Sequence, residues 1–120
     1  MRWFARKSQQ DIWDEAIEWP LGDIEAAERI RAICEAAVAS AVGAARNDPP
    51  ESERYERAAK VAMEIAMKIS DGLMRDDAVR RIVDLCMKAG DVKTAQILLR
   101  AIHASWIREA ALRDHPVLAS

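Results

Sequence analysis

Glycine, cysteine and long apolar runs are all scarce in this chain, and each scarcity excludes a class of protein. Four glycines in 120 residues leave no glycine-rich loop that could cradle a phosphate group. The two cysteines, Cys34 and Cys86, form no zinc or redox motif, so we expect small buried side chains in the reducing cytoplasm. The uncharged stretch from Ala36 to Ala45 is about half of the ~20 residues that cross a membrane.

Neither sign of charge dominates the chain. Eighteen basic and twenty acidic side chains give a formal net charge of −2, so no whole-molecule field would attract nucleic acid or an anionic membrane. An excess of acidic residues is confined to positions 11 to 35, where we interpret it as the solvated face of helices.

Sequence patterns for catalysis and metal binding are also missing. Neither His103 nor His115 has an acidic residue three or four positions before it, and there is no His-Glu-x-x-His or Gly-x-Ser-x-Gly. Asp76 and Asp77 are adjacent, so on a helix they point about 100° apart and cannot act as a paired acid and base. We therefore predict no enzymatic activity, no metal and no cofactor.

The dominant pattern that is present runs from Ala78 to Ile102. Apolar residues recur there at three- and four-residue spacing on both sides of Gly90-Asp91, which is the pattern of two amphipathic helices joined by a tight turn. Gly90 can adopt the left-handed conformation that ends a helix, and the Asp91 carboxylate can cap the next one. The stretch predicts a helical hairpin.

The same periodicity predicts an all-α chain of five or six antiparallel helices. We expect a flexible basic and aromatic arm at residues 1–7, a single helical domain at 8–113 and a tail at 114–120. A first helix would begin near Ser8 and end at Trp19-Pro20, and a second, capped by Asp23, would run to about Ala45. The Pro49-Pro50 loop, a third helix, the hairpin and a break near Ser105 or a continuation to Arg113 would follow.

The two Gly-Asp dipeptides also suggest an internal repeat. Gly22-Asp23-x-x-x-Ala27 recurs as Gly90-Asp91-x-x-x-Ala95, at an offset of 68 residues. Half of that offset is the 34-residue period of the tetratricopeptide repeat, a helix-turn-helix unit that stacks into a superhelix. Residues 76–107 resemble one such repeat, which implies a right-handed array; a compact helical bundle is the alternative.

The resemblance implies a partner-binding face on the fourth helix. Its groove-facing residues would be Asp77, Arg80, Arg81, Asp84, Met87 and Lys88. Basic residues at the positions of Arg80 and Arg81 can clamp a peptide carboxylate in that family, but Asp84 places a negative charge beside them. We therefore predict a non-enzymatic protein-protein interaction module, acting as an adaptor, chaperone-like protein or inhibitor, that binds a protein or peptide of mixed charge.

Two other functions compete with this prediction. Residues 78–102 are similar to a DNA-binding helix-turn-helix, although Gln96 stands where such motifs need an apolar residue. A structural homodimer is the second alternative, because Trp3, Phe4 and Trp13 are a large apolar content for a terminal segment and aromatic residues are enriched at interfaces. The Ala36–Ala45 stretch, made of small residues, would lie either in the centre of the monomer or in such a dimer seam.

Overall fold

The chain folds into six α-helices in the computed structural model, which describes residues 10–119. They are α1 (Asp23–Ala36), α2 (Val38–Ala45), α3 (Pro49–Ala66), α4 (Gly72–Lys88), α5 (Val92–Leu99) and α6 (Ser105–Asp114). Single 3-10 turns lie at Ile12–Asp14 and Pro116–Ala119, and no β-strand occurs between residues 10 and 119. The predicted all-α fold is confirmed.

The helices pack around α4. α4 contacts all five other helices, with α1 and α6 beside it, α5 folded back on it as a hairpin, and α3 packed against it, α1 and α2. The shortest dimension of the Cα positions is 16 Å, as expected for two helices stacked about 10 Å apart. The central position explains why α4 buries residues on about half of its circumference, including Val79, Ile82, Val83 and Cys86.

The hairpin predicted at 78–102 is confirmed in its local detail. Gly90 has a φ of +73°, the left-handed conformation that glycine adopts without steric cost. The Asp91 carboxylate accepts a hydrogen bond from the backbone N–H of Thr94 at 3.2 Å and caps α5. Its other oxygen accepts a hydrogen bond from the buried Tyr55 hydroxyl at 2.7 Å, so the turn is also tied to α3.

The first predicted helix is replaced by one 3-10 turn followed by extended backbone from Glu15. The segment before Pro20 is too short for a stable isolated helix, so tertiary contacts decide its conformation. Arg54 and Arg57 of α3 form ion pairs with Asp11 and Asp14, and the Arg54 guanidinium lowers the pKa of Asp11 below its usual value. Ser8 and the predicted arm at 1–7 lie outside the described residues.

The second predicted helix is interrupted at Ala37, which separates α1 from α2. The small residues of α2 allow α3 to approach closely: a Cβ on Gly43 would lie 2.7 Å from the Cβ of Glu51. Ser40, almost fully buried, donates a hydrogen bond to the Glu51 carboxylate at 2.7 Å. Ala37 and Ala41 are fully buried, so this face of the Ala36–Ala45 stretch packs within the monomer.

The chain also breaks between α5 and α6, close to Ser105. The buried Asp76 carboxylate of α4 accepts hydrogen bonds from the backbone N–H groups of His103 and Ala104, at 3.1 and 2.8 Å. These bonds give the connecting loop the partners that a continuous helix would have supplied. After α6, Leu118 of the final 3-10 turn is buried, so the segment predicted as a separate tail adds a side chain to the core.

Candidate functional site

The more polar of two hollows among the described residues is a groove between α1 and α4, which we call the α1–α4 groove. Its volume is about 150 Å³, enough for one or two partner side chains, since a water molecule in the liquid occupies about 30 Å³. Each wall contributes residues at i, i+3, i+4 and i+7, from α4 on one side and from α1 with the first residue of α2 on the other, so the groove is roughly 10 Å long. The walls are Arg31, Cys34, Glu35 and Val38 on one side and Arg81, Asp84, Leu85 and Lys88 on the other.

The rim of the groove carries charges that the fold does not use. Arg31, Glu35 and Lys88 are exposed and form no ion pair with any residue in the described part of the chain. Arg81 has only a 3.6 Å contact with Asp77, one turn away on the same helix. Exposed pairs of this kind contribute little to stability, so Arg81 can change partner at small cost.

Asp84 and Arg80 are already engaged with the end of α6. Asp84 lies 2.7 Å from the imidazole Nε2 of His115, and Arg80 donates a hydrogen bond to Asp114 at 2.8 Å. The Arg80 guanidinium lowers the pKa of the Asp114 carboxyl. These contacts connect α4 to the C-terminal segment and hold Asp84 at the edge of the groove.

The six residues predicted on α4 therefore separate into two groups. Asp77, Arg81, Asp84 and Lys88 fall on one face at spacings of three and four residues, and the last three line the groove. Arg80 instead points to α6, and Met87 is half-buried against the core. The structure thus brings half of the predicted set together in one site.

The opposite wall of the groove was missed by sequence reasoning. Arg31, Glu35 and Val38 lie about 50 positions before their counterparts on α4, and no local pattern specifies which helix faces pair across that separation. A usable signal was the position of Cys34, whose small side chain sits between two opposite charges on a helix face. A small uncharged side chain between two charged ones on a helix face predicts a half-buried strip that packs beside a neighbouring helix.

Cys34 supplies the thiol in the groove. Burial raises the pKa of its thiol to about 12, and the pKa of the buried Cys86 thiol to about 11. Because the thiolate is the reactive form, both side chains remain weak nucleophiles at neutral pH. The chemistry of the groove walls is suited to contact and ion pairing.

A second hollow, of about 220 Å³, lies between α3 and α5. Its floor is apolar, with Ala59, Met63 and Leu98, while its main polar groups, Tyr55 and Asp91, bind each other. Those two groups already stabilise the hairpin turn, which leaves Glu56 and Lys60 as the charged residues at the rim. This hollow therefore presents fewer free polar groups to a binding partner than the α1–α4 groove does.

Trp13, which was predicted to lie in a dimer interface, is not one of the groove residues. Trp13 is only 3% exposed, and the Arg54 guanidinium covers its ring at 5.7 Å from the centroid. Trp3 and Phe4 are outside the described residues. The ring of Trp13 is therefore already covered within the chain.

Other features of the described residues bear on function. Among residues 10–119 there is no group of three histidine, cysteine, aspartate or glutamate side chains positioned to hold a metal ion. No helix in the same range is both long and apolar enough to span a membrane. Comparisons of the chain with family models, curated proteins and solved structures find no match.

Proposed function

We propose that this chain is a non-enzymatic protein-binding module that holds a segment of a partner protein in the α1–α4 groove. The observation that carries the proposal is the rim, where Arg31, Glu35 and Lys88 have no partner among the described residues. Beneath them Val38 and Leu85 supply apolar surface. An apolar floor surrounded by charged groups is the usual arrangement of a protein interface.

The dimensions and charges of the groove define the kind of partner. A length of two helical turns and a volume of about 150 Å³ fit a short helix or loop that inserts one apolar side chain. Because the rim carries both signs, the inserted side chain would be flanked by an acidic and a basic residue. Charges placed in this way favour the correct partner and orientation more than they increase affinity.

The state of Cys34 supports binding over chemistry. A groove built for nucleophilic catalysis would lower the pKa of its thiol, whereas burial here raises that pKa to about 12. Free thiols at Cys34 and Cys86 are compatible with a reducing compartment, so the proposal keeps the cytoplasm as the location. Adaptor, chaperone-like and inhibitor roles all use such a surface, and the tetratricopeptide-like resemblance remains part of this proposal.

The direct test is a double charge reversal in the groove, Arg31→Glu with Lys88→Glu. The wild-type chain is used to capture partners from its native cell, and affinity for the recovered partner is then measured by calorimetry. We expect the variant to weaken binding at least about 10-fold, because two attractive contacts become repulsive. Arg80 is left unchanged, since its reversal would also break the contact with Asp114.

The matched control is Lys93→Glu with Arg100→Glu, two exposed cations in and next to α5. It has the same change in net charge, so an effect of overall charge alone would appear in both variants. Equal affinity for the groove variant and the wild type would overturn the proposal.

A further inference from the structure

The large exposed apolar side chains are concentrated at one end of the molecule. Trp19, Ile24, Met67, Leu73 and Trp106, which we call the apolar end, are between 47% and 70% exposed. Ile24, Leu73 and Trp106 are the second residues of α1, α4 and α6, and Met67 directly follows α3. The other exposed large apolar side chains among the described residues are Val42 of α2, Ile97 of α5 and Val117 after α6.

Side-chain contacts hold these helix ends together. Asp23 at the start of α1 accepts hydrogen bonds from the backbone N–H groups of Ser70 and Asp71, both at 2.9 Å, which joins α1 to the α3–α4 loop. Asp76 joins α4 to the loop before α6 in the same way. The ammonium group of Lys68 lies 5.7 Å from the centre of the Trp19 ring. The backbone that carries the apolar end is therefore held in place, so little conformational entropy is lost when the apolar end binds.

The exposed area matches the requirement of a small dimer. Five large side chains, each more or less half exposed, present on the order of 600 Å² of largely apolar surface, since such side chains cover about 200 Å² each. That equals or exceeds the largest apolar patch of a typical monomer. A specific protein–protein interface of standard size buries about 800 Å² per partner, and in homodimers roughly two-thirds of the buried area is apolar, so the apolar end supplies the amount that a small dimer interface needs.

Charges around the apolar end favour a second copy of this chain over a membrane. The charged residues within two positions of these side chains in sequence are Glu18, Asp23, Glu25 and Asp71 with Lys68, Arg75 and Arg108, so the rim has no basic excess to attract anionic lipid. In a two-fold contact the same patch serves on both subunits, and a rim with both signs can pair with itself. We propose that the apolar end is the interface of a symmetric homodimer. Because the patch occupies one end only, the contact closes at two subunits.

The test uses the full chain and a double substitution, Leu73→Glu with Trp106→Glu. Both positions lie in the first turn of a helix, where a negative charge is favourable, so the helices should be retained. Val117→Glu is the control, because it introduces one glutamate of the same kind at an exposed apolar residue outside the apolar end. Sedimentation equilibrium measures mass against the chain mass of 13.4 kDa.

We expect the wild type and Val117→Glu to reach twice the chain mass as concentration rises. The double variant should dissociate at least about 100-fold more readily, because each substitution occurs twice in a symmetric contact. The groove variant Arg31→Glu with Lys88→Glu should remain dimeric, which separates this proposal from the proposed function. A wild type that stays monomeric at its highest soluble concentration refutes the dimer, as does a double variant that still dimerises. Monomeric wild type that co-sediments with phosphatidylserine vesicles assigns the apolar end to a membrane instead.

Discussion

Gly22-Asp23 and Gly90-Asp91 are the same dipeptide placed before two helices, yet their backbones and contacts differ. Gly90 has a φ of +73°, whereas Gly22 has a φ of −68° in the extended region that any residue adopts. Asp91 caps its own helix α5, while Asp23 binds the backbone of Ser70 and Asp71 in another part of the chain.

The difference shows that a short motif specifies a hydrogen-bonding capacity and not its partner. A carboxylate at the start of a helix can accept from any free N–H groups within reach, and the neighbouring elements decide which these are. The dipeptides therefore stand at equivalent sequence positions with different structural roles. The repeat that they suggested remains a prediction, and its two Gly-Asp turns are not alike in structure.

The largest effect should come from Asp91→Ala. The substitution removes the cap of α5 and leaves the buried Tyr55 hydroxyl without its acceptor, so we expect a loss of about 2–3 kcal/mol in the free energy of unfolding. Urea denaturation measures it. Asp91→Asn keeps an oxygen for the cap and should lose less than half as much; an equal loss in both variants would contradict the capping role.

Gly90→Ala should have the second largest effect. We expect the free energy of unfolding to fall by about 1–2 kcal/mol, because an alanine in the left-handed region is strained. A Cβ at this position would meet only Ala45 at an ordinary 3.9 Å, so the effect isolates the backbone. Gly90→Asn should fall between wild type and alanine, since asparagine tolerates this conformation better. If the alanine variant unfolds at the same urea concentration as wild type, the turn does not need glycine.

Asp23→Ala should cost about 1 kcal/mol, since it removes two hydrogen bonds that are partly accessible to water. The sharper measurement is amide hydrogen exchange, which should accelerate at Ser70 and Asp71 and leave Thr94 unchanged. Glu25→Ala, two residues along α1, has no such contact in the described structure and serves as the control. Faster exchange at Thr94 with no change at Ser70 and Asp71 would contradict the assignment of Asp23 to the α3–α4 loop.

Gly22→Ala should have the smallest effect. No atom lies within 4 Å of a Cβ built on Gly22, and its backbone is in the extended region that any residue adopts. Alanine reduces the freedom of the unfolded chain, but it is a poorer N-cap residue than glycine for α1, so the two effects should offset each other to within about 0.5 kcal/mol. Thermal unfolding compares the two alanine variants directly, and equal destabilisation would remove the distinction between the two glycines.

The α1–α4 groove was half predictable for the same reason. Arg81, Asp84 and Lys88 follow from the periodicity of one helix, because residues three and four apart share a face. Arg31 and Glu35 do not, because their pairing with α4 depends on how two distant helices align. The first helix, which was wrongly predicted, is a similar case. The ion pairs of Asp11 and Asp14 with Arg54 and Arg57 outweigh the weak helical preference of a short segment.

The amino-acid sequence by itself determined the helical content, the hairpin around Gly90-Asp91 and the apolar face of each helix. These features depend on residues within about four positions of one another, whose interactions are the same in any surrounding fold. Tertiary structure alone decided that Asp23 binds Ser70 and Asp71, that α1 supplies the second wall of the groove, and that apolar side chains gather at one end. Each of these requires elements tens of residues apart to settle into one packing arrangement, and that choice is made by the whole core at once.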